Sequence, residues 1–106
     1  MTNIEQMGFR ALADPTRREI LILLSRKDMT IAEVADNFEM TRAAVKKHLS
    51  ILSQGDLITV RRNGRTCVNA LQTQGLKRVF DWFGFFDDFW DDRLSTLKDT
   101  IEKDTQ

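Results

Sequence analysis

The 106-residue chain holds one cysteine, Cys67, one histidine, His48, and one proline, Pro15, and it has no tyrosine. A single cysteine excludes an intramolecular disulfide, and together with one histidine it cannot complete a four-ligand zinc site within one chain. No metal site and no cofactor are therefore expected, and cysteine this sparse fits a reducing, cytoplasmic location. Catalysis is equally short of material. His48 has no Asp, Ser or Cys partner in a recognisable motif, so no catalytic residue is assigned and the chain is read as a non-enzyme. No apolar run approaches the roughly 20 residues that span a bilayer, and no charged stretch leads into an apolar one at the start, so neither membrane insertion nor secretion is expected. Five scattered glycines and the lone proline leave no linker, and there is no repeat. The length supports one small core and no cleft between two large domains.

What is present is unevenly placed. Sixteen basic and sixteen acidic residues cancel. Yet residues 41–65 carry Arg42, Lys46, Lys47, Arg61, Arg62 and Arg65 against Asp56 alone, and residues 81–106 carry eight acids against three bases. Aromatics are just as concentrated. Phe80, Trp82, Phe83, Phe85, Phe86, Phe89 and Trp90 make up seven of the nine in the chain.

Met7, Ala11 and Leu12 at helical spacing predict a first helix ending near Ala13. Asp14-Pro15 starts a second, to about Ser25, because the carboxylate accepts orphan amides and proline at the first helical position loses no bond. Lys27-Asp28 reads as its exit turn. Thr30 and Glu33 form a capping-box pattern ahead of a short helix over 31–38, and Thr41 caps a longer one running to about Gln54. Gly55 is expected to end it in the left-handed conformation. Two helices joined by about three residues form a helix-turn-helix. Leu57–Val60 and Thr66–Leu71 then predict a hairpin around Asn63-Gly64. Pairing Arg62 with Arg65 would set Val60 opposite Cys67, which is read as a small buried residue. From Thr73 to about Lys103 the chain reads as helix, continuous or broken at Gly84.

A helix of about 13 residues fits the major groove of DNA with its first turn nearest the base edges. Here that turn is Thr41, Arg42, Ala43 and Ala44, with Lys46, Lys47, His48 and Ser50 further along. Alanines allow close approach or touch a thymine methyl, Arg42 offers a fork to guanine, and the lysines suit phosphates. A charged helix face can also be simply solvated; the adjacent basic hairpin tip, Arg61, Arg62, Asn63 and Arg65, favours DNA. The aromatic tail exceeds the stripe that one core requires. Trp82, Phe86, Phe89 and Trp90, with Leu94, Leu97 and Ile101, are expected to form a dimer interface in preference to a small-molecule pocket.

The runs ALADPTRREILILL, MTIAEVADNFEMTRAAVKKHLSILSQGDLI and RRNGR together resemble the ArsR-type winged helix-turn-helix transcription repressors over about residues 7–71. The resemblance implies a homodimeric repressor bound to double-stranded DNA at an inverted repeat. Many such proteins sense metals through a Cys-x-Cys pair or through ligands on the last helix. Here Thr30 and Ala32 occupy the former positions, and the last helix has no Cys or His. Asn69 stands in the wing where relatives often carry an aromatic residue. The expected fold is mostly α (α+β): a winged helix-turn-helix over 1–72 with a two-stranded wing, then a C-terminal helical dimerisation extension over 73–106. A protein-interaction module using the aromatic helix is the alternative.

Overall fold

Thr2 opens helix α1 (Asn3–Leu12) through a reciprocal cap, its hydroxyl accepting from the Glu5 amide and the Glu5 carboxylate accepting from its own amide, both at 3.2 Å. The computed structural model describes residues 2–104, and within that span every side chain except those of Leu94, Ser95, Lys98, Glu102, Lys103 and Asp104. Helix α2 (Pro15–Arg26) starts as Asp14-Pro15 requires. Next come strand β1 (Met29–Thr30), α3 (Ile31–Ala35), α4 (Arg42–Gln54), β2 (Ile58–Asn63), β3 (Thr66–Leu71) and α5 (Thr73–Trp82). A 3-10 turn (Phe83–Phe86) then leads into α6 (Asp87–Asp104).

The core lies where the helices close over the inner face of the sheet. Ile20, Val34, Val45, Leu52, Leu57 and Ile58 are at most 2% exposed. At about 1.5–3 kcal/mol for each buried aliphatic side chain, this cluster is the main source of stability. Val79 brings α5 into it, and Phe38 and Met40 pin the turn of the helix-turn-helix against it.

Four expectations need correction. The short helix ends at Ala35, not 38, because Asn37 and Phe38 bond three residues back, to Val34 and Ala35, and tighten into a turn. The exit from α2 leads into β1, which pairs Met29 with Asn69, so the sheet has three strands in the order β1-β3-β2. Asn69 is the polar side chain that holds this edge: 2% exposed, it donates to the Met29 carbonyl at 3.1 Å. Gly55 is not left-handed (φ −81°); Asp56 is (φ 59°). Finally, the hairpin pairs Asn63 with Thr66, Arg62 with Cys67 and Val60 with Asn69, two residues away from the expected register. Only Gly64 has positive φ there, at the first central position of the loop, which is what a II′-type turn asks for, whereas Asn-Gly suggested the I′ form with two such positions. Cys67 consequently sits one pair from the tip and is exposed rather than buried.

Gly55 and Gly75 have a steric role. A Cβ on Gly55 would lie 2.9 Å from the Met7 carbonyl oxygen of α1, and one on Gly75 would collide with the Asp56 carbonyl oxygen. The Gln72 amide donates to the Leu57 carbonyl at 2.9 Å, and Arg78 pairs with Asp56, so α5 is locked to the end of α4.

The last segment is neither a continuous helix nor a simple break. It passes through a 3-10 turn at Phe83–Phe86 and stands clear of the core. The radius of gyration is 18.1 Å, against about 13 Å for a compact chain of this length.

Gly75→Ala is expected to lower the free energy of unfolding by about 1–3 kcal/mol through overpacking. Lys77→Ala, on the exposed side of the same helix, should change it by less than about 0.5 kcal/mol. Urea unfolding of the two variants checks the difference.

Candidate nucleic-acid interface

The Thr41 hydroxyl accepts from the Ala44 amide at 3.1 Å and so fixes the first turn of α4. Val45, Leu49 and Leu52 face the core, which leaves Ala43, Lys46, Lys47 and Ser50 on the other side, while Arg42, three residues before Val45, is exposed because it opens the helix. That division follows from the 3.6-residue period. Over the alanines the helix surface dips, and Ala43, Ala44, Lys46, Lys47 and Ser50 line the depression. His48 lies apart from this face. It is half-buried, and its Nδ1 is 3.3 Å from Nη1 of Arg17 on α2.

The wing divides its basic residues between two faces. Side chains alternate along a strand, so Val60, Arg62, Cys67 and Asn69 share one face, while Arg61 and Val68 share the other. Val60, Cys67 and Asn69 line a groove of about 360 Å³ with Lys46, Ser50 and Ser53 of α4. Arg62 therefore lies on the side of α4 and Arg61 does not. Arg61 instead reaches Asp28 at 3.5 Å. Asn63 and Arg65 flank Gly64 at the tip and are exposed. Among the described residues Arg42, Lys46, Lys47, Arg62 and Arg65 make no ion pair with an acid, whereas Lys27, Arg61, Lys77 and Arg78 each do.

Sequence reasoning missed Arg17. Its Nε donates to the Ala11 carbonyl at 2.8 Å and its Nη2 to the Arg10 carbonyl at 3.1 Å, closing the last turn of α1 from the next helix. The signal was in DPTR, where an arginine three residues after an N-cap aspartate points back over the preceding helix end.

The aromatic segment forms a second surface. Trp82 is half-buried and meets Phe9, Phe83 and Phe86 with ring centroids 5.2–5.4 Å apart. Phe89 and Trp90 stack edge-on at 5.0 Å, and the Arg93 guanidinium lies 5.3 Å from the Phe89 centroid. Phe86, Phe89, Trp90, Leu97 and Ile101 are 40–56% exposed. Trp82, Phe83, Phe86, Phe89 and Trp90 line a wholly apolar depression. The side chain of Leu94, placed in the same interface by the sequence, lies outside the described residues. Among the described residues no three His, Cys, Asp or Glu side chains are grouped to hold a metal ion, and no helix is long and apolar enough to cross a membrane.

Comparison with known proteins agrees with this layout. A Helix-turn-helix domain family matches residues 12–61. The transcriptional repressor SdpR of Bacillus subtilis (strain 168) is 38% identical over 74 residues, which cover 70% of this chain and 82% of the repressor. An HTH-type transcriptional regulator of Mycobacterium tuberculosis is 30% identical over 97 residues, 92% of this chain and 88% of that one. A crystal structure of an ArsR family transcriptional regulator superposes with a TM-score of 0.77 at 31% identity, over 84% of this chain and 98% of the other.

The Arg17 amide donates to Asp14 Oδ2 at 3.0 Å, and this bond holds the Asp14 carboxyl below its ordinary value of 3.8, aided by the Arg17 charge and opposed by burial. A depressed folded-state pKa contributes stability that is complete above the unfolded value and disappears as pH falls through the folded one. Between about pH 6 and pH 2.5 wild type should therefore lose more stability than Asp14→Asn, which keeps the cap without a charge to titrate. Equal losses in the thermal midpoints of the two proteins would refute it.

Proposed function

The chain belongs to the ArsR family of winged helix-turn-helix transcription regulators, and on that premise we propose that it is a cytoplasmic, homodimeric repressor that reads an inverted-repeat operator. It is a DNA-binding transcriptional regulator whose relatives are regulators and not enzymes. The observation that carries the finer reading is the set of cations on α4 and the wing that no acid neutralises among the described residues. Cations left unpaired on an exposed helix face are available to displace the counterions of a phosphate backbone.

In this reading α4 enters the major groove. Arg42 and Ala43 meet base edges, with Thr41 and Ala44 shaping the first turn, and Lys46, Lys47 and Ser50 meet phosphates or sugars. Arg62, Asn63 and Arg65 bring the wing tip to the neighbouring backbone or minor groove. Arg61 contributes less, because Asp28 already pairs with it. Residues 1–72 form the DNA-binding unit and 73–106 the dimerisation extension. Trp82, Phe86, Phe89, Trp90, Leu97 and Ile101 supply its interface. A two-fold dimer sets the two α4 helices about one DNA turn, roughly 34 Å, apart.

Lys46→Ala or Lys47→Ala should weaken binding to specific and random duplexes alike and lower the salt slope by about 1 for each phosphate no longer neutralised. Arg42→Ala should instead reduce discrimination against a mismatched operator by about 1–3 kcal/mol. Operator selection from a random pool followed by salt titration measures both. Undiminished binding by a variant that combines Arg42→Ala, Lys46→Ala and Lys47→Ala would remove α4 as the reading element.

Trp90→Ala is expected to shift the dimer towards monomer in sedimentation at micromolar concentration and to weaken binding to a full operator more than to a half-site. A wild-type chain that sediments as a monomer at that concentration would assign the aromatic face to another partner.

A further inference from the structure

We propose that Arg17 and His48 form a joint that fixes the rotation of α4 about its own axis, making His48 a positioning residue and not a contact to DNA. The inference rests on α4 being the reading helix. The apolar residues that seat α4, Val45, Leu49 and Leu52, set its distance from the core. They resist rotation weakly, since aliphatic contacts have no preferred direction. A hydrogen bond off the apolar line supplies the direction, and the Arg17–His48 contact, at 3.3 Å, is placed to do so.

Arg17 is itself immobilised. Its guanidinium also donates to the Ala11 and Arg10 carbonyls, at 2.8 and 3.1 Å, and its backbone amide to Asp14. Arg18 donates to the Leu12 carbonyl at 2.7 Å, so the last turn of α1 is met from α2, the Arg10 carbonyl also accepting from the capping Ala13 amide. The end of α1, the start of α2 and the middle of α4 thus share one planar fork. Lysine cannot reproduce it, because an ammonium lacks the fixed spacing of the donors.

The contact also fixes the chemical state of the imidazole. Arginine only donates, so Nδ1 of His48 must accept, and the ring proton resides on Nε2. An imidazole with a proton on Nδ1 would turn a donor towards a donor, and its protonated form would set two cations together.

Because His48 is the chain's one histidine, a ¹⁵N-labelled imidazole gives a single set of signals. In wild type at pH 8, without DNA, these should show a hydrogen-bonded Nδ1 and a proton on Nε2 alone, and Arg17→Lys should move the Nδ1 signal towards that of a free imidazole. With DNA, Arg17→Lys and His48→Leu should each lose about tenfold in preference for the selected operator over random duplex, with the salt slope unchanged. His48→Asn, whose amide oxygen stands near the place of Nδ1, should stay within about twofold of wild type. Circular dichroism confirms that each variant is folded. A proton on Nδ1, or unchanged preference in both Arg17→Lys and His48→Leu, overturns the joint. So does a lowered salt slope in His48→Leu and His48→Asn alike, which would make His48 a phosphate contact. A wild type that selects no sequence from a random pool overturns the premise that α4 reads DNA, whatever the state of the imidazole.

Discussion

The Asp56 carbonyl and Gly75 approach so closely that no side chain fits between them, and the placing of α5 against the end of α4 depends on that contact. It forms where the chain leaves α4. Gly55 is pressed against Met7 and Gly8 of α1, Asp56 takes the left-handed turn, and Leu57 enters the core. Four elements carrying different tasks, α1, α4, β2 and α5, are held to one another by backbone. Interlocks of this kind are stiff because close-packed atoms have no slack to absorb displacement. The position of the aromatic tail relative to α4 is thereby defined at the root of α5.

How much of this could be read from residues depends on whether the signal is local. Caps were legible: Thr30 with Glu33, Asp14 with Pro15, and Thr41 each place an oxygen within three residues of the amide it accepts from. Apolar periodicity likewise identified the inward side of α4. What failed was decided at long range. Strand β1 is two residues long and pairs with Val68 and Asn69, about 40 residues away, and the Asn69 side chain also donates to the Met29 carbonyl. The glycine ending α4 looked like a conformational device and is a steric one, which no sequence window can distinguish. The hairpin register turned on whether Asn63-Gly64 or Gly64-Arg65 is the central pair of the turn, and Gly64 can serve in either. Of the candidate site, the reading face of α4 was legible as a set. The separation of Arg61 from Arg62 and the inward turn of His48 needed the paired strands and the neighbouring helix.

Charge is distributed with the same economy. The chain is neutral in total, yet α4 and the wing carry an excess of bases and the last helix an excess of acids. A segment with the charge of residues 81–106 is repelled by phosphate. Electrostatics alone would then orient an approaching chain, before any base contact forms.

The 3-10 turn at Phe83–Phe86 acts as a phase shift in the helix lattice. Successive residues advance by about 100° in an α-helix and about 120° in a 3-10 helix, so four residues rotate everything that follows by about 80°. In an uninterrupted helix Phe86 and Trp90, seven and eleven residues on, would follow Val79 along nearly a single line, and that line begins at a buried residue, Val79. The turn swings Phe86 and Trp90 off it. Apolar surface that would otherwise point at the chain's own core is aimed outward, so torsion angles over four residues, as well as composition, leave these rings exposed.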